Sequence, residues 1–414
     1  MNYDNLDNYN YSRFHNKAMP DELENKMLEI PFQDVNFRQE ILEGRYISHN
    51  KLRMYLESAQ LGELISLSKS IRDKTFGNRI TYSRKVFINL VNLCKDSCSY
   101  CTYKKEPNEL KAVMLQPSEA IAIAEAGRKA GCTEALIVTG ERPETKYPEA
   151  KKWLHDLGFT NLTELISDLS EKILDKTGLL PHTNAGSLVK KEMSMLKSTN
   201  VSLGMMLENT SERLFDLGQA HANAPSKIPK VRLRSLISAG ELKIPITTGL
   251  LIGIGERFDE VVDSLLLIKE LNTKYGHIQE VIIQNFLPKI GTSMEYASSP
   301  TFSYFLRCLS SARIILGDIS IQVPPNLSPN IYSKYLYAGI DDWGGISPLT
   351  PDFVNPECPW PRITEISNIT RHNGHTLRAR LPLYPKYIFN QNLSTKFIHP
   401  NLKGYIEPLV DNYG

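Results

Sequence analysis

The chain has 414 residues, 41% hydrophobic and 23% charged, with 48 basic against 46 acidic side chains and a net charge of +2. That length allows one barrel-sized domain with an extension or two average domains. The balanced charge leaves no basic stripe of the kind nucleic-acid binders carry. No run of about 18 or more apolar residues is present, so no membrane-spanning helix is expected. The opening Met1-Asn2-Tyr3-Asp4-Asn5-Leu6-Asp7 has neither the basic nor the apolar region of a secretory signal. A cytoplasmic protein is the default expectation.

Residues 1–24 are rich in Asn and Tyr, show no period, and are expected to form a flexible tail. Residues 25–79 read as a helical lead-in, with Leu61, Leu64, Ile65 and Ser68 at helical spacing. The main domain, 80–390, alternates. Strand-like runs fall at 85–93, 135–139, 179–183, 201–207, 244–252, 280–286 and 319–324, with a weaker one near 336–341. Helical patterns lie between most of them. Pro117-Ser118 opens one helix and Gly131 closes it, and Asn161 with Glu164 marks another as a capping box. Alternating units with short apolar strands imply a parallel sheet with helices outside, and their number favours a (β/α)8 TIM-type barrel. Residues 391–414 are expected as a C-terminal tail.

The densest chemical signal is Cys94, Cys98 and Cys101, spaced C-x3-C-x2-C directly after the first apolar strand. Iron–sulfur cubanes are held by cysteine thiolates, usually one per iron, so three thiolates would leave one iron open to a non-protein ligand. Structural zinc asks for four ligands in paired arrangements, and the remaining Cys132, Cys308 and Cys358 are isolated. Six cysteines without a secretory signal also argue against a disulfide framework. The triad closely resembles the cluster loop of the radical S-adenosylmethionine (SAM) enzymes, and that resemblance implies a 4Fe-4S cluster whose fourth iron takes SAM.

In a parallel α/β barrel, function sits at the C-terminal ends of the strands. Tyr100 occupies the position where radical SAM proteins commonly carry an aromatic near the adenine. Gly140-Glu141 resembles the family's glycine-acid motif for the SAM amino group, with an exposed turn as the competing reading. Glu208 ends strand four where related barrels contact SAM; an acid favoured by the next helix dipole competes. Arg213 is a candidate for the SAM carboxylate, or a surface ion-pair partner. The run with Gly249 and Gly253 resembles the G-x-I-x-G-x-x-E segment of these barrels. A dinucleotide fingerprint fails there, because Phe258 stands where its last glycine is required. Asn184, Gln284, Asn285 and Asn326 close apolar strands and suit a polar substrate. His182 is the acid/base candidate, since an imidazole can be tuned near neutrality; a structural histidine is the rival reading.

Over residues 78–387 the chain is similar to one family in particular, the cyclising subunit of 7,8-didemethyl-8-hydroxy-5-deazariboflavin synthase. The resemblance rests on Ile80-Thr81-Tyr82-Ser83-Arg84-Lys85-Val86-Phe87, the cysteine loop through Tyr103, Gly140 to Glu144 and Leu180 to Asn184. It continues through Ala239 to Pro245, Gln279 to Phe286, Val323 to Leu327 and Asp341 to Pro348. It departs at Ala185-Gly186, where Pro-Gly is usual, at Ser99, where glycine is usual, and in the long N-terminal lead. The family implies an ammonia-releasing radical SAM carbon–nitrogen lyase that converts 5-amino-5-(4-hydroxybenzyl)-6-(D-ribitylimino)-5,6-dihydrouracil to the deazaflavin, with methionine and 5′-deoxyadenosine as co-products. It also implies a separate partner radical SAM subunit that supplies the substrate, and a one-electron donor such as ferredoxin or flavodoxin. Two alternatives stand beside it: a related radical SAM barrel (the tyrosine-dependent partner or a menaquinone-branch cyclase), and a structural iron–sulfur or zinc protein.

Overall fold

A computed structural model describes residues 37–45 and 47–413; the expected tail over 1–24 and the first part of the lead-in lie outside the described residues. The lead-in that is described comprises three helices, α1 (Phe37–Leu42), α2 (His49–Ser58) and α3 (Leu61–Phe76). Of the α3 face expected from spacing, Leu64 and Ser68 are buried and Leu61 and Ile65 half-buried, and Leu67 joins the interior beside them; each buried leucine contributes about 1.5–3 kcal/mol by leaving water. Arg72, on the same face, is fully buried and donates through Nε to the Ile340 carbonyl at 3.2 Å. That bond ties the lead-in to the main domain.

The main domain is a closed barrel of parallel strands. They are β1 (Arg79–Val91), β2 (Glu134–Thr139), β3 (Leu180–Asn184), β4 (Ser202–Gly204), β5 (Ile246–Ile252), β6 (Ile278–Asn285), β7 (Ser320–Gln322) and β8 (Asp342–Ile346). They pair in sequence order and β8 returns to β1. The intervening helices, among them α4 (Pro117–Lys129), α5 (Pro148–Asp156), α6 (Leu162–Thr177), α7 (Lys190–Leu196), α8 (Pro229–Glu241), α9 (Phe258–Tyr275) and α10 (Phe302–Leu316), follow their strands. Capping behaves as the sequence implies: the Asn161 side chain accepts the Glu164 N–H at the start of α6, and Pro117 opens α4. The eighth strand is displaced from its expected place. Residues 336–338 end a 3-10 turn (Tyr332–Ala338), 339–341 connect it onward, and the strand is the glycine-bearing Asp342-Trp343-Gly344-Gly345-Ile346.

The C-terminal part is more than a tail. After helix α11 (Ile363–His372), strand β9 (Thr376–Arg380) pairs with Arg79 to Ser83 of β1, along the lower half of the edge whose upper half pairs with β2. The chain then crosses the N-terminal mouth of the barrel. The Pro382 carbonyl accepts from Ser202 Oγ and from Gln279 Nε2, each at 2.9 Å, and Tyr387 donates to the Gly276 carbonyl at 2.8 Å. Helices α12 (Pro385–Phe389), α13 (Gln391–Phe397) and α14 (Lys403–Tyr413) continue from this floor. Phe397, Ile398, Leu402 and Ile406 bury themselves with Leu174, Leu180 and Val201, so the stretch read as a tail is a packed helical layer. With the N-terminal mouth closed, the cavity inside the barrel opens at the strands' C-terminal ends.

Candidate active site

That cavity measures about 360 Å³ and is lined by residues from the strands' inner faces and the loops above them. Cys94, Cys98 and Cys101 lie on the loop leaving β1. Neighbouring loops hold this segment on several sides. Lys95 N–H donates to the Glu141 carbonyl (2.8 Å), Ser97 N–H to Asn223 (2.8 Å) and Ser99 N–H to Ala220 (2.9 Å). Asp96 accepts the Ser226 hydroxyl, and Tyr100 Oη lies 3.2 Å from His221 Nε2. The loops after β2 and β4 therefore fix where the three sulfurs stand.

Gly140 makes the first of these contacts possible. A Cβ there would fall 1.9 Å from the Leu93 carbonyl oxygen, so only glycine lets the β2 end approach the cysteine loop. The next residue, Glu141, donates its backbone N–H to Cys94 Sγ at 3.2 Å. Its buried carboxylate accepts the Ser187 N–H (3.0 Å) and hydroxyl (2.7 Å) and lies 3.9 Å from Arg232. Glu208 adopts a left-handed backbone, φ 65°, just after β4. Its carboxylate forms a buried ion pair with Lys227, and the Lys227 and Arg232 cations hold it below the usual carboxylate range against the opposing effect of burial.

His182, on β3, is buried among hydrogen-bonding groups. Nδ1 lies 2.7 Å from Ser202 Oγ, and the Ser202 hydroxyl donates to the Pro382 carbonyl. Nε2 lies 3.0 Å from Asn184 Oδ1. Burial lowers the His182 pKa to about 4, so the ring is neutral at pH 7 and can accept a proton but has none of an imidazolium's acidity. The expectation of titration near neutrality is thereby corrected. Gly204 makes room for this pair, since a Cβ there would meet Asn184 Oδ1 at 1.8 Å.

Of the residues singled out from the sequence, Cys94, Cys98, Cys101, Tyr100, Gly140, Glu141, His182, Asn184, Glu208, Gln284 and Asn285 line this one cavity. Four do not. Arg213 is turned to Glu260 (2.8 Å) and the Gly255 carbonyl (2.7 Å), which is the surface-side pairing. Gly249 is packed inside β5 against Ile282 and Met206, and Gly253 sits in a turn against Pro300. Asn326 is buried and donates to Asp352 Oδ2 (3.0 Å) and the Cys358 carbonyl (3.1 Å). It thus braces the loop after β8 instead of facing the cavity. That Pro-rich loop forms part of the cavity wall: Trp360 stacks on Phe87 with centroids 5.4 Å apart, and Asp352, Val354 and Asn355 also contribute.

Several lining residues escaped the sequence reading. Glu280 carried a usable signal, a lone charge within the mostly apolar β6, whereas Lys85 follows Arg84 in the polar half of β1. Lys227, Arg232 and Trp360 carried none, because only the path of the chain after β4 and after β8 turns them inward, Arg232 from the first turn of α8. The cations on the cavity wall are Lys85, Lys227, Arg232 and Lys289.

The donor set suits an iron–sulfur cluster. The three cysteines are free and partly buried, and burial pushes the Cys94 and Cys98 thiols up to about 11 and 12. Such thiols ionise when a metal takes them, and the Glu141 N–H is placed to support a thiolate at Cys94. Among the described residues no three His, Cys, Asp or Glu side chains converge on a single ion; a cubane asks instead for one thiolate per iron. Beside the triad, a carboxylate and two cations (Glu208, Lys227, Arg232) and the Tyr100 ring offer partners for an amine, a carboxylate and a purine.

Fold and site together define a radical SAM barrel: the Radical SAM superfamily model matches residues 88–268. The FeFe-hydrogenase maturase HydG from Carboxydothermus hydrogenoformans superposes with a TM-score of 0.71 over 97% of this chain and 90% of its own, at 18% identity. The 7,8-didemethyl-8-hydroxy-5-deazariboflavin synthase of Methanopyrus kandleri is 44% identical over 335 residues, 81% of this chain and 99% of that protein. The synthase of the same name from Methanocaldococcus jannaschii is 45% identical over 350 residues, 84% and 96% of the two chains. The chain belongs to the 7,8-didemethyl-8-hydroxy-5-deazariboflavin synthase family.

Proposed function

We propose that this enzyme is a radical SAM carbon–nitrogen lyase that forms 7,8-didemethyl-8-hydroxy-5-deazariboflavin from the aminohydroxybenzyl-ribityliminouracil named above, with release of ammonia. The observation that carries the reading is the match, at 44% identity, across 99% of a synthase of that name. The cysteine triad at the cavity mouth supports it.

Cys94, Cys98 and Cys101 would hold a 4Fe-4S cluster, with SAM bound beside it. When bound, the pair supplies abstraction of a hydrogen atom from the substrate. The protein's own part is placement. Glu208 with Lys227 and Arg232 orients the charged end of SAM, and Tyr100 with the apolar group around Leu251 and Phe286 flanks its adenine. His182, Asn184, Gln284 and Asn285 offer hydrogen bonds to the pyrimidine and ribityl chain, whose polar groups need partners once desolvated. The loop carrying Trp360 limits water access, which protects a reactive intermediate from competing hydrogen donors.

A separate radical SAM subunit supplies the substrate in this reading, and a small ferredoxin- or flavodoxin-like protein supplies the electron. A cytoplasmic setting suits six free thiols; among the described residues no helix is long and apolar enough to cross a membrane.

The test is anaerobically reconstituted protein with dithionite, SAM and the partner-made intermediate, following 5′-deoxyadenosine and fluorescent deazaflavin together. Both are expected, and only with that intermediate. Deoxyadenosine without deazaflavin keeps the class and discards the substrate; neither product, despite a full cluster, favours a structural cluster.

A further inference from the structure

Beneath the cavity the barrel interior is charged. Glu134, Glu280, Asp342 and Arg380 are buried, and the Lys85 side chain is only 12% exposed. Lys85 Nζ lies 3.0 Å from Glu134 Oε1, and Glu134 also accepts the Ser83 hydroxyl. Arg380 grips Asp342 with two donors, Nε to Oδ2 at 2.6 Å and Nη2 to Oδ1 at 3.0 Å, and reaches Glu280 Oε1 with Nη2 at 2.7 Å. Thr247 donates to Glu280 Oε2 at 3.0 Å, and the Tyr384 hydroxyl lies 3.1 Å from Oε1.

Fully ionised, this group would hold three carboxylates against two cations. An uncompensated buried charge is costly, and the inexpensive relief is one proton on one carboxyl. The contacts decide which. Asp342 has the guanidinium fork and the Thr81 hydroxyl, and Glu134 has its own lysine. Glu280 has one arm of an arginine already committed elsewhere. Burial and the neighbouring Asp342 push Glu280 up to about 7, while Asp342 and Glu134 are held below the ordinary carboxylate range by Arg380 and Lys85 respectively. Of the other titratable groups packed around it, His182 stays neutral and burial raises Tyr384, while Asp341, reached through Ser320, is paired with the buried Arg313.

Glu280 also lines the cavity floor, with His182, Thr247 and Gln322. We infer that Glu280 is the proton donor to the departing amine of the substrate and is recharged by the proton that the closing ring sheds. In this step the carbon–nitrogen bond breaks with its electron pair going to nitrogen, the Glu280 proton joins that nitrogen, and ammonia leaves. The resulting carboxylate takes the proton released by the aromatic carbon where the new ring closes. The Glu280 proton is thus returned. Beyond ammonia the substrate gives up two more hydrogens: one passes as an atom to 5′-deoxyadenosine, and the other leaves as a proton to solvent and an electron to the one-electron carrier that primes SAM cleavage. Asp342, by engaging the Arg380 fork and adding its own negative charge, leaves Glu280 as the carboxyl that keeps a proton, and Arg380 and Tyr384 fix where that carboxyl points. The inference rests on the deazaflavin-synthase reading.

Two measurements on Glu280→Gln test it. By infrared difference spectroscopy on the protein alone, wild type is expected to show a protonated-carboxyl band that disappears with a midpoint at about pH 7 and is missing from the variant. In reconstituted enzyme with SAM and the intermediate, the variant is expected to form 5′-deoxyadenosine at close to the wild-type rate while deazaflavin falls by about 100-fold or more. The wild-type loss of product formation above neutral pH should vanish with it. Should Glu280→Gln fail to fold, Tyr384→Phe removes one donor from Oε1 and should move both the band midpoint and the alkaline limb upward together. Wild-type product rates in Glu280→Gln, or an unchanged band, would overturn the inference. A wild type that shows the band but makes no deazaflavin would overturn the functional reading and this role with it.

Discussion

Gly140 shows how little tolerance the site has. Because a methyl group there meets the Leu93 carbonyl oxygen at 1.9 Å, Gly140→Ala must push the cysteine loop off the β2 end. The expected result is a stability loss of about 1–3 kcal/mol with less than half the iron load after reconstitution, measured by thermal melting and by iron and sulfide content. A full iron load would mean the two loops move independently. Replacing Cys94, Cys98 or Cys101 by Ala should remove the cluster absorbance and SAM cleavage while far-UV circular dichroism stays that of a folded barrel; turnover by any one of them would sink the ligand assignment. For His182→Gln, product formation should slow more than SAM cleavage, and an unchanged product rate would make the ring structural. At this scale the cysteines were legible because coordination chemistry sets their local spacing. Arg213 misled for the converse reason: a cation's partner depends on where its loop runs, and Glu260 reaches it first.

At the scale of elements, seven strands were legible from apolar runs, and the eighth was not. Residues 336–341 alternate apolar and polar side chains in a way a 3-10 turn also satisfies, whereas Asp342 to Ile346 contains two glycines, which are depleted in strands. The structure gives the glycines a reason. A Cβ on Gly345 would sit 1.7 Å from the Lys85 side chain, and one on Gly344 2.2 Å from the Gln322 amide carbon. Here tertiary crowding overrides propensity. The C-terminal helices are the complementary case: short segments are marginal alone and are held by packing. Phe397 is 4% exposed and its ring centroid lies 4.7 Å from that of Tyr387. Phe397→Ala should therefore cost about 3–5 kcal/mol in thermal or urea unfolding while leaving the iron content unchanged. A neutral result would return this layer to the status of a loose tail.

At the scale of the molecule, buried titratable groups set the response to pH. Burial lowers His182 to about 4, and His221 and His277 each to about 3, all below the ordinary histidine value of about 6.5. The unfolded chain therefore binds protons that the folded one refuses. Stability is complete above about pH 6.5 and is lost as pH falls toward 4 and then 3. Glu134 and Glu208, lowered by Lys85 and Lys227 respectively, extend the loss below the carboxylate range. Glu280, raised, works the other way between about 7 and its unfolded value, but three histidines outweigh it. The melting temperature at pH 4.5 should accordingly lie several degrees below that at pH 7.5. A flat profile would mean that these rings are protonated within the fold.

The sequence by itself determined the alternating strand and helix order, the cysteine triad and the polar strand ends, because each is written in local spacing: a period of two or 3.6, or a ligand interval. Only the tertiary structure decided which charges face inward. Closing the barrel brings Lys85, Glu134, Glu280, Asp342 and Arg380 together from five strands, and the segment after β9 seals them from below. Charge balance in a buried space is a property of all the walls at once, so no window of the chain contains it.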